Sequence, residues 1–179
     1  VTEKYIAGQE YLFFLGNTDP KKNVPRTLKA YSIYLKKSEK KRPLLIADLK
    51  EDKLDIILKE QGIEEIKPYL SYPGYIPNKD LAYLYNGAYA FLYTSLRESF
   101  GIPMLEAMAC GTPVITGNTS AMPEIAGEGG ILVNSLNAKE IAEKIFKAAE
   151  DKKAKDILVL DMEGINEVTD YFIICSANS

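Results

Sequence analysis

The residues with the clearest capacity for chemistry lie in Glu98-Ser-Phe-Gly-Ile-Pro-Met-Leu-Glu106, followed by Ala-Met-Ala-Cys-Gly111-Thr-Pro-Val-Ile. Two carboxylates flank a Gly-Ile-Pro turn. Proline has a fixed φ and no N–H, so Pro103 suits the first position of a helix. Gly101 before it lets the backbone come close to a ligand. Met104, Leu105 and Met108 then form the apolar side of a short helix that Gly111 ends. This reading puts Glu98 on the loop and Glu106 in the first helical turn, whose unpaired N–H groups make a seat for a phosphate. Two acceptors for hydroxyls around an anion-binding helix end describe a nucleotide-sugar pocket better than a bare phosphate site. The plainer alternative is that Glu106 complements the helix dipole and Glu98 is a solvated loop charge.

The run ESFGIPMLEAMACGTPVI, with its two glutamates separated by seven residues, resembles the paired-glutamate motif of retaining GT-B glycosyltransferases, the group that includes glycogen and sucrose synthases and bacterial mannosyl- and glucosyltransferases. The resemblance implies that Glu106 holds the two ribose hydroxyls of a nucleoside-diphosphate sugar and that Glu98 contacts the transferred sugar. It implies that the backbone of Phe100, Gly101 and Ile102 lies against sugar or phosphates. Charged hydrogen bonds of this kind are each worth roughly 1.5–3 kcal/mol.

The elements that must position these groups follow from the rest of the chain. It has 179 residues, enough for one well-packed domain and a small appendage. With 46% hydrophobic and 26% charged residues it has the composition of an ordinary globular protein. A net charge of −3 gives no nucleic-acid footprint. Cys110 and Cys175 lack metal spacing and make no disulfide framework, so a reducing cytoplasm is expected. No apolar run approaches membrane-spanning length, and the charged N-terminus is not a signal peptide. The chain contains no histidine, which removes Ser-His-Asp and Cys-His catalysis and most zinc sites.

Val1–Glu10 opens abruptly, as a domain cut from a longer protein would. Tyr11–Leu15 is a continuous apolar run, the pattern of a strand buried on both faces. Further strands are expected at Pro43–Ala47, Tyr69–Tyr72, Ala88–Tyr93, Thr112–Thr116 and Gly130–Val133. Helices are expected at Val24–Lys37, Glu51–Gln61, Lys79–Asn86, Ala121–Ala126 and Asn137–Lys147, besides the one after Pro103. Strands alternating with helices through six units predict an α/β fold with a doubly wound, parallel, Rossmann-like sheet. In the order 3-2-1-4-5-6, strands one and four are neighbours at the switch point, where ligands bind beyond their carboxyl ends. Those ends lead into Gly16–Asn23 and Ser95–Gly101. The resemblance implies the same arrangement, that of the donor-binding C-terminal half of a GT-B enzyme.

The first of these loops, GNTDPKKN, lacks the G-x-G-x-x-G of a dinucleotide site. It offers Lys21 and Lys22 instead, which are either surface charges or phosphate partners. The resemblance aligns Lys22 with the lysine that pairs with the donor diphosphate. It puts Gly16 in the donor loop and Asn17 where many members carry a phosphate-binding arginine, a departure that leaves hydrogen bonding in place of charge. Lys22 and the start of the Pro103 helix would stabilise a departing diphosphate without a divalent ion. Glu98 and Lys22 are therefore the candidate catalytic residues, and no metal or cofactor is expected. The turn YPGYIP lies where the family holds the nucleobase, which makes Gly74, Tyr75 and Ile76 candidates. Equally, it is a plain strand-to-helix turn with Tyr75 packed inward. Thr94, Ser95 and Leu96 are expected to help shape the sugar pocket. The twelve tyrosines are read mostly as core.

From about Ala148 the text changes. The stretch AAEDKKAKDILVLDMEGINEVTDYFIICSANS resembles the opening third of the ribosomal silencing factor (Iojap) family. Asp156–Leu160 and Asp170–Cys175 read as two strands joined through Gly164. A lone hairpin is marginal in water, so it must pack on the domain or pair with a second copy, giving a homodimer through its edge. The expected organisation is a nucleotide-sugar-binding domain over residues 1–147 and a fused partial segment over 148–179, spliced within the helix around Phe146–Lys152.

The leading expectation is the donor half of a retaining hexosyltransferase using a UDP- or GDP-sugar, inactive alone because the N-terminal acceptor domain is missing. The alternative is a chimeric or engineered α/β scaffold with no activity. A nucleotide-sugar epimerase is disfavoured by the Glu98–Glu106 run. A pyridoxal-phosphate phosphorylase is disfavoured by the lack of a lysine in a suitable context.

Overall fold

The computed structural model describes residues 1–7, 10–150, 158–161 and 171–174. Six parallel strands form one sheet: β1 (Tyr11–Leu15), β2 (Leu44–Ala47), β3 (Leu70–Gly74), β4 (Ala88–Tyr93), β5 (Val114–Gly117) and β6 (Gly130–Val133). Their spatial order is β3-β2-β1-β4-β5-β6, the doubly wound order expected from the sequence. β1 pairs with β2 on one side, Phe13 opposite Leu45, and with β4 on the other, Phe13 opposite Phe91. The first apolar run is therefore a central strand with both faces covered.

Strand periodicity sorts the side chains into two cores. Leu12, Phe14, Leu44, Ile46, Ala90 and Leu92 face α1 (Val24–Lys37), α2 (Glu51–Gln61) and α6 (Ala138–Glu150). Tyr11, Phe13, Leu45, Phe91 and Tyr93 face α3 (Asn78–Gly87), α4 (Ile102–Ala109) and α5 (Met122–Ala126). α1 buries Leu28, Tyr31 and Leu35 and begins with Pro25 in its first turn, where the missing N–H costs nothing. α2 ends at Gly62 in a left-handed conformation, φ 60°, the C-cap that glycine accepts without a Cβ penalty.

Three local expectations are corrected. Tyr69 closes a 3-10 turn (Glu64–Tyr69), and the third strand starts at Leu70. That strand contains Pro73 and lies at the sheet edge, the place where a missing donor is tolerated. The fifth strand starts at Val114; Pro113 stays outside it and its carbonyl accepts from the Phe91 N–H at 2.8 Å. In α4 Met104 and Met108 face the core as expected, but Ala107 joins them in place of Leu105, which is only half-buried.

Leu158–Asp161 (β7) and Tyr171–Ile174 (β8) pair antiparallel, Leu158 opposite Ile174. The expected connection through Gly164 and the rest of 151–179 lie outside the described residues, and α6 runs across the expected 147/148 boundary. Among the described residues no helix is long and apolar enough to cross a membrane.

Candidate functional site

The site is assembled from loops at the carboxyl ends of β1 and β4. After β1, Asn17 Oδ1 accepts from the Asp19 N–H at 2.9 Å, and Asp19 Oδ1 caps the 3-10 turn Pro20–Lys22 by accepting from the Lys21 N–H at 3.0 Å. This nested turn chemistry delivers Lys22. The Leu96 N–H donates to the Lys21 carbonyl at 2.7 Å, tying the β1 loop to the β4 loop. Asn23 completes the join. It sits left-handed at φ 58°, buried, and its side-chain amide donates to the carbonyls of Thr94 (3.0 Å) and Ser135 (2.7 Å). Beneath it the hydroxyls of Thr27 and Thr94 are 2.6 Å apart. From the β5 side, Ser120 donates to the Glu98 carbonyl at 2.6 Å and Thr119 to the Leu96 carbonyl at 3.1 Å. The Glu98 loop is thus bound from both flanks before any ligand is considered.

Lys22 Nζ lies 2.8 Å from Glu98 Oε1, with the two side chains only 18% and 12% exposed. The ammonium also stands 5.5 Å above the Tyr93 ring. Burial opposes ionisation of Glu98, but hydrogen bonds from Lys22, Ser95 and Tyr93 outweigh it and hold its carboxyl below the usual range. Glu106 is held differently: the Tyr85 hydroxyl donates to its Oε2 at 3.1 Å. Burial pushes the Tyr93 phenol well above its ordinary ionisation, and the charges of both Glu98 and Glu106 push the same way. The two acids therefore converge on one tyrosine.

Gly101 is the N-cap of α4 at φ 97°, a region closed to most side chains. A Cβ there would also sit 3.4 Å from the Tyr93 ring. Its left-handed turn makes Ile102 the first helical residue and Pro103 the second. The first turn consequently holds no acid, and Glu106 stands in the second turn rather than the first. Helical side chains lean toward the N-terminus, which lets Glu106 meet Tyr85 from α3.

The remaining candidates fall on both sides of the expectation. Gly16 is buried, and a Cβ there would come 2.4 Å from the Phe14 ring, so this position needs glycine for space. Asn17 is exposed, with its carbonyl engaged in the turn. Gly74 is left-handed at φ 77°, and its carbonyl accepts from the Asp48 N–H at 2.8 Å. Tyr75 is 74% exposed rather than packed inward. Ile76 is 3% exposed and belongs to the core; its side chain is a packing group, leaving only its backbone for a ligand. Phe100 and Ile102 are exposed, at 52% and 58%.

Sequence reasoning missed Tyr85 and Tyr93, whose rings are core but whose hydroxyls belong to the acids. It missed Asn23, and also Asp48, a left-handed residue at φ 63°. Burial raises the Asp48 carboxyl above its ordinary value while the nearby Lys22 charge lowers it, so Asp48 shares the field of that lysine. The Asn23 and Asp48 signals are single non-glycine residues in turns, visible only once the turn is built. A cavity of about 610 Å³ opens between the start of α1 and α2, lined by Asn17, Pro20, Arg26, Ile56 and Gln61 among others. It takes in neither Lys22, Glu98 nor Glu106, and the convergence of charge marks the site better than this hollow.

The chain is 34% identical over 160 residues to O-antigen chain mannosyltransferase B of Escherichia coli, a match covering 88% of this chain and 42% of that protein. It thus spans about two-fifths of that relative's length. It also resembles ribosomal silencing factor RsfS of Bacillus subtilis, with 54% identity over 44 residues, 25% of this chain and 37% of that protein. The fold matches a solved structure described as trehalose-6-phosphate from E. coli bound with UDP-2-fluoro glucose, with a TM-score of 0.68 at 16% identity, over 83% of this chain and 38% of that one. The sequence profile of the family Glycosyl transferases group 1 matches residues 3–159, and the chain belongs to that family.

Proposed function

We propose that this chain is the donor-binding half of a retaining glycosyltransferase that takes a hexose from a nucleoside-diphosphate sugar. Mannose is the first candidate, by similarity to the E. coli mannosyltransferase. The observation that carries the reading is the convergence of Lys22, Glu98 and Glu106 around Tyr93 at the carboxyl ends of two adjacent central strands, the place where open α/β sheets bind ligands. Glu106 accepts the ribose diol, Glu98 accepts hydroxyls of the sugar, and Lys22 meets the charge that grows on the departing diphosphate. Gly74, Tyr75 and the Ile76 backbone face the base. No divalent ion is needed for these roles. Turnover needs an acceptor-binding half as well, so these 179 residues by themselves transfer little or no sugar.

Titration with UDP, GDP and ADP tests the reading. One of them binds in the micromolar to millimolar range, and Glu106→Ala weakens it by about tenfold to a few hundredfold, the worth of the charged hydrogen bonds removed. Equal binding by that variant overturns the assignment, and brisk sugar transfer by the isolated chain overturns the claim of inactivity. The 44-residue likeness to the silencing factor favours a second reading, a fusion of two unrelated segments without activity; failure to bind any of the three nucleotides supports it.

A further inference from the structure

The two acids of the site are held by chemically different partners. Glu98 faces an ammonium, so much of its charge is already answered. Glu106 receives a hydrogen bond from a neutral phenol. A tyrosine hydroxyl has one proton to give, while an ionised carboxylate has about four lone-pair sites. Tyr85 therefore fixes the orientation of Glu106 and leaves most of its accepting capacity open, and no ion pair to Glu106 is formed among the described residues.

Tyr85 is built to hold that position. Its side chain is 1% exposed. Its ring lies 5.1 Å from Phe91, edge to face, and 5.3 Å from Phe13. Phe91 in turn stacks on Tyr93 at 5.7 Å. The backbone is pinned as well: Thr112 Oγ1 donates to the Tyr85 carbonyl at 2.6 Å, and the Tyr11 hydroxyl donates to the Leu84 carbonyl at 2.7 Å. Burial, and then the Glu106 charge, keep the phenol protonated at any working pH. A rigid, always protonated donor thus comes from the last turn of α3 to an acid in the second turn of α4. That geometry suits an acceptor that must meet two adjacent hydroxyls at once, since a carboxylate free to rotate would match a diol only part of the time.

We infer that Tyr85 is a positioning residue, which sets the Glu106 carboxylate to receive the vicinal diol of a ribose. The inference rests on the donor-site reading above and goes beyond it by naming what orients the acid.

The test compares wild type, Tyr85→Phe and Glu106→Ala, each titrated with UDP, GDP and ADP and with their 2′,3′-dideoxy counterparts. The readout is the ratio of affinities, ribose over dideoxyribose, for whichever base binds. Tyr85→Phe keeps the ring and its packing and removes only the oxygen. It lowers the ratio by about threefold to thirtyfold, a fraction of the worth of the hydrogen bonds to a charged group that it misaligns, while dideoxy binding stays as in wild type. Glu106→Ala collapses the ratio to near one. A merely structural Tyr85 behaves otherwise: the melting temperature falls and both ligands weaken together, leaving the ratio intact. If the ratio collapses in Glu106→Ala but stays at the wild-type value in Tyr85→Phe, the positioning role is refuted and the donor site stands. If Glu106→Ala keeps the wild-type ratio, or wild type binds none of UDP, GDP and ADP, the donor-site reading itself falls and takes this inference with it.

Discussion

Replacing Lys22 with alanine separates the electrostatic role of this lysine from its packing. In the fold its ammonium is 2.8 Å from Glu98, and both side chains are largely buried. Removing one partner of a fully buried pair costs about 3–5 kcal/mol, while an exposed pair is worth about 0–1 kcal/mol. Here Glu98 keeps its hydrogen bonds from Ser95 and Tyr93, so the loss falls between these limits, at about 2 kcal/mol. For a chain of this size that lowers the melting temperature by about 4–8 °C. The protein has no tryptophan, so unfolding is best followed by circular dichroism.

The pH dependence decides the cause. The Glu98 carboxyl is held below its ordinary value in the folded state, so its contribution is fully present above the unfolded value and is lost as the pH falls through the folded value. In Lys22→Ala, burial is opposed only by Ser95 and Tyr93, and the folded value rises. The stability gap between wild type and variant is therefore widest near neutral pH and closes as the pH falls through the lowered Glu98 value of the wild-type fold. Glu98→Gln added to Lys22→Ala recovers part of the loss at pH 7. A gap that persists unchanged in acid means that the lysine acts by packing on Tyr93, and no gap at neutral pH means that the ion pair carries nothing. Either result refutes the reasoning.

Other consequences are tested as directly. Asn23→Gly keeps the left-handed backbone and deletes two buried hydrogen bonds, to Thr94 and Ser135; urea titration should show a loss of about 1–3 kcal/mol, and an unchanged midpoint would mean that this clip does not hold the loops together. Asp48→Asn keeps a residue type that tolerates φ 63° and removes a carboxylate whose ionisation is opposed by burial. The variant is more stable than wild type at pH 7, the gain fades as acid neutralises the wild-type carboxyl, and nucleoside-diphosphate affinity rises because one negative neighbour of Lys22 is gone; equal or weaker binding counts against that account.

The sheet was legible because its signals are local and redundant. Tyr11–Leu15 is apolar at every position, which only a strand covered on both faces can use. Odd and even residues of that run then divide between the two cores without further instruction. The adjacency of the two unusual loops followed from strand order alone and appears as the bond from Leu96 to Lys21. The site was harder to read because single residues decide it. A left-handed Gly101 shifts the helix start by one position and moves Glu106 into the second turn. Composition treats a tyrosine as core, and at Tyr85 and Tyr93 that holds for the ring but not for the oxygen. Which of Tyr75 and Ile76 turns inward depends on the phase of a turn, and the sequence carries no period there.

The two glutamates then differ by more than position. On the donor-site proposal, a diphosphate arriving at Lys22 would compete with a carboxylate already in place, so its binding would exchange one charge-assisted contact for another and gain little from the lysine alone. The exchange would instead release Glu98, which would become an acceptor only once the phosphates had taken its partner. Glu106 would need no such release, since its hydrogen-bond donor among the described residues is a neutral phenol. On that proposal the nucleoside end of a donor would be recognised by a site that is ready in the free protein. The sugar end would meet an acid that becomes free only when the diphosphate is seated, so a nucleoside lacking its phosphates is predicted to engage Glu106 and leave Glu98 in its ion pair.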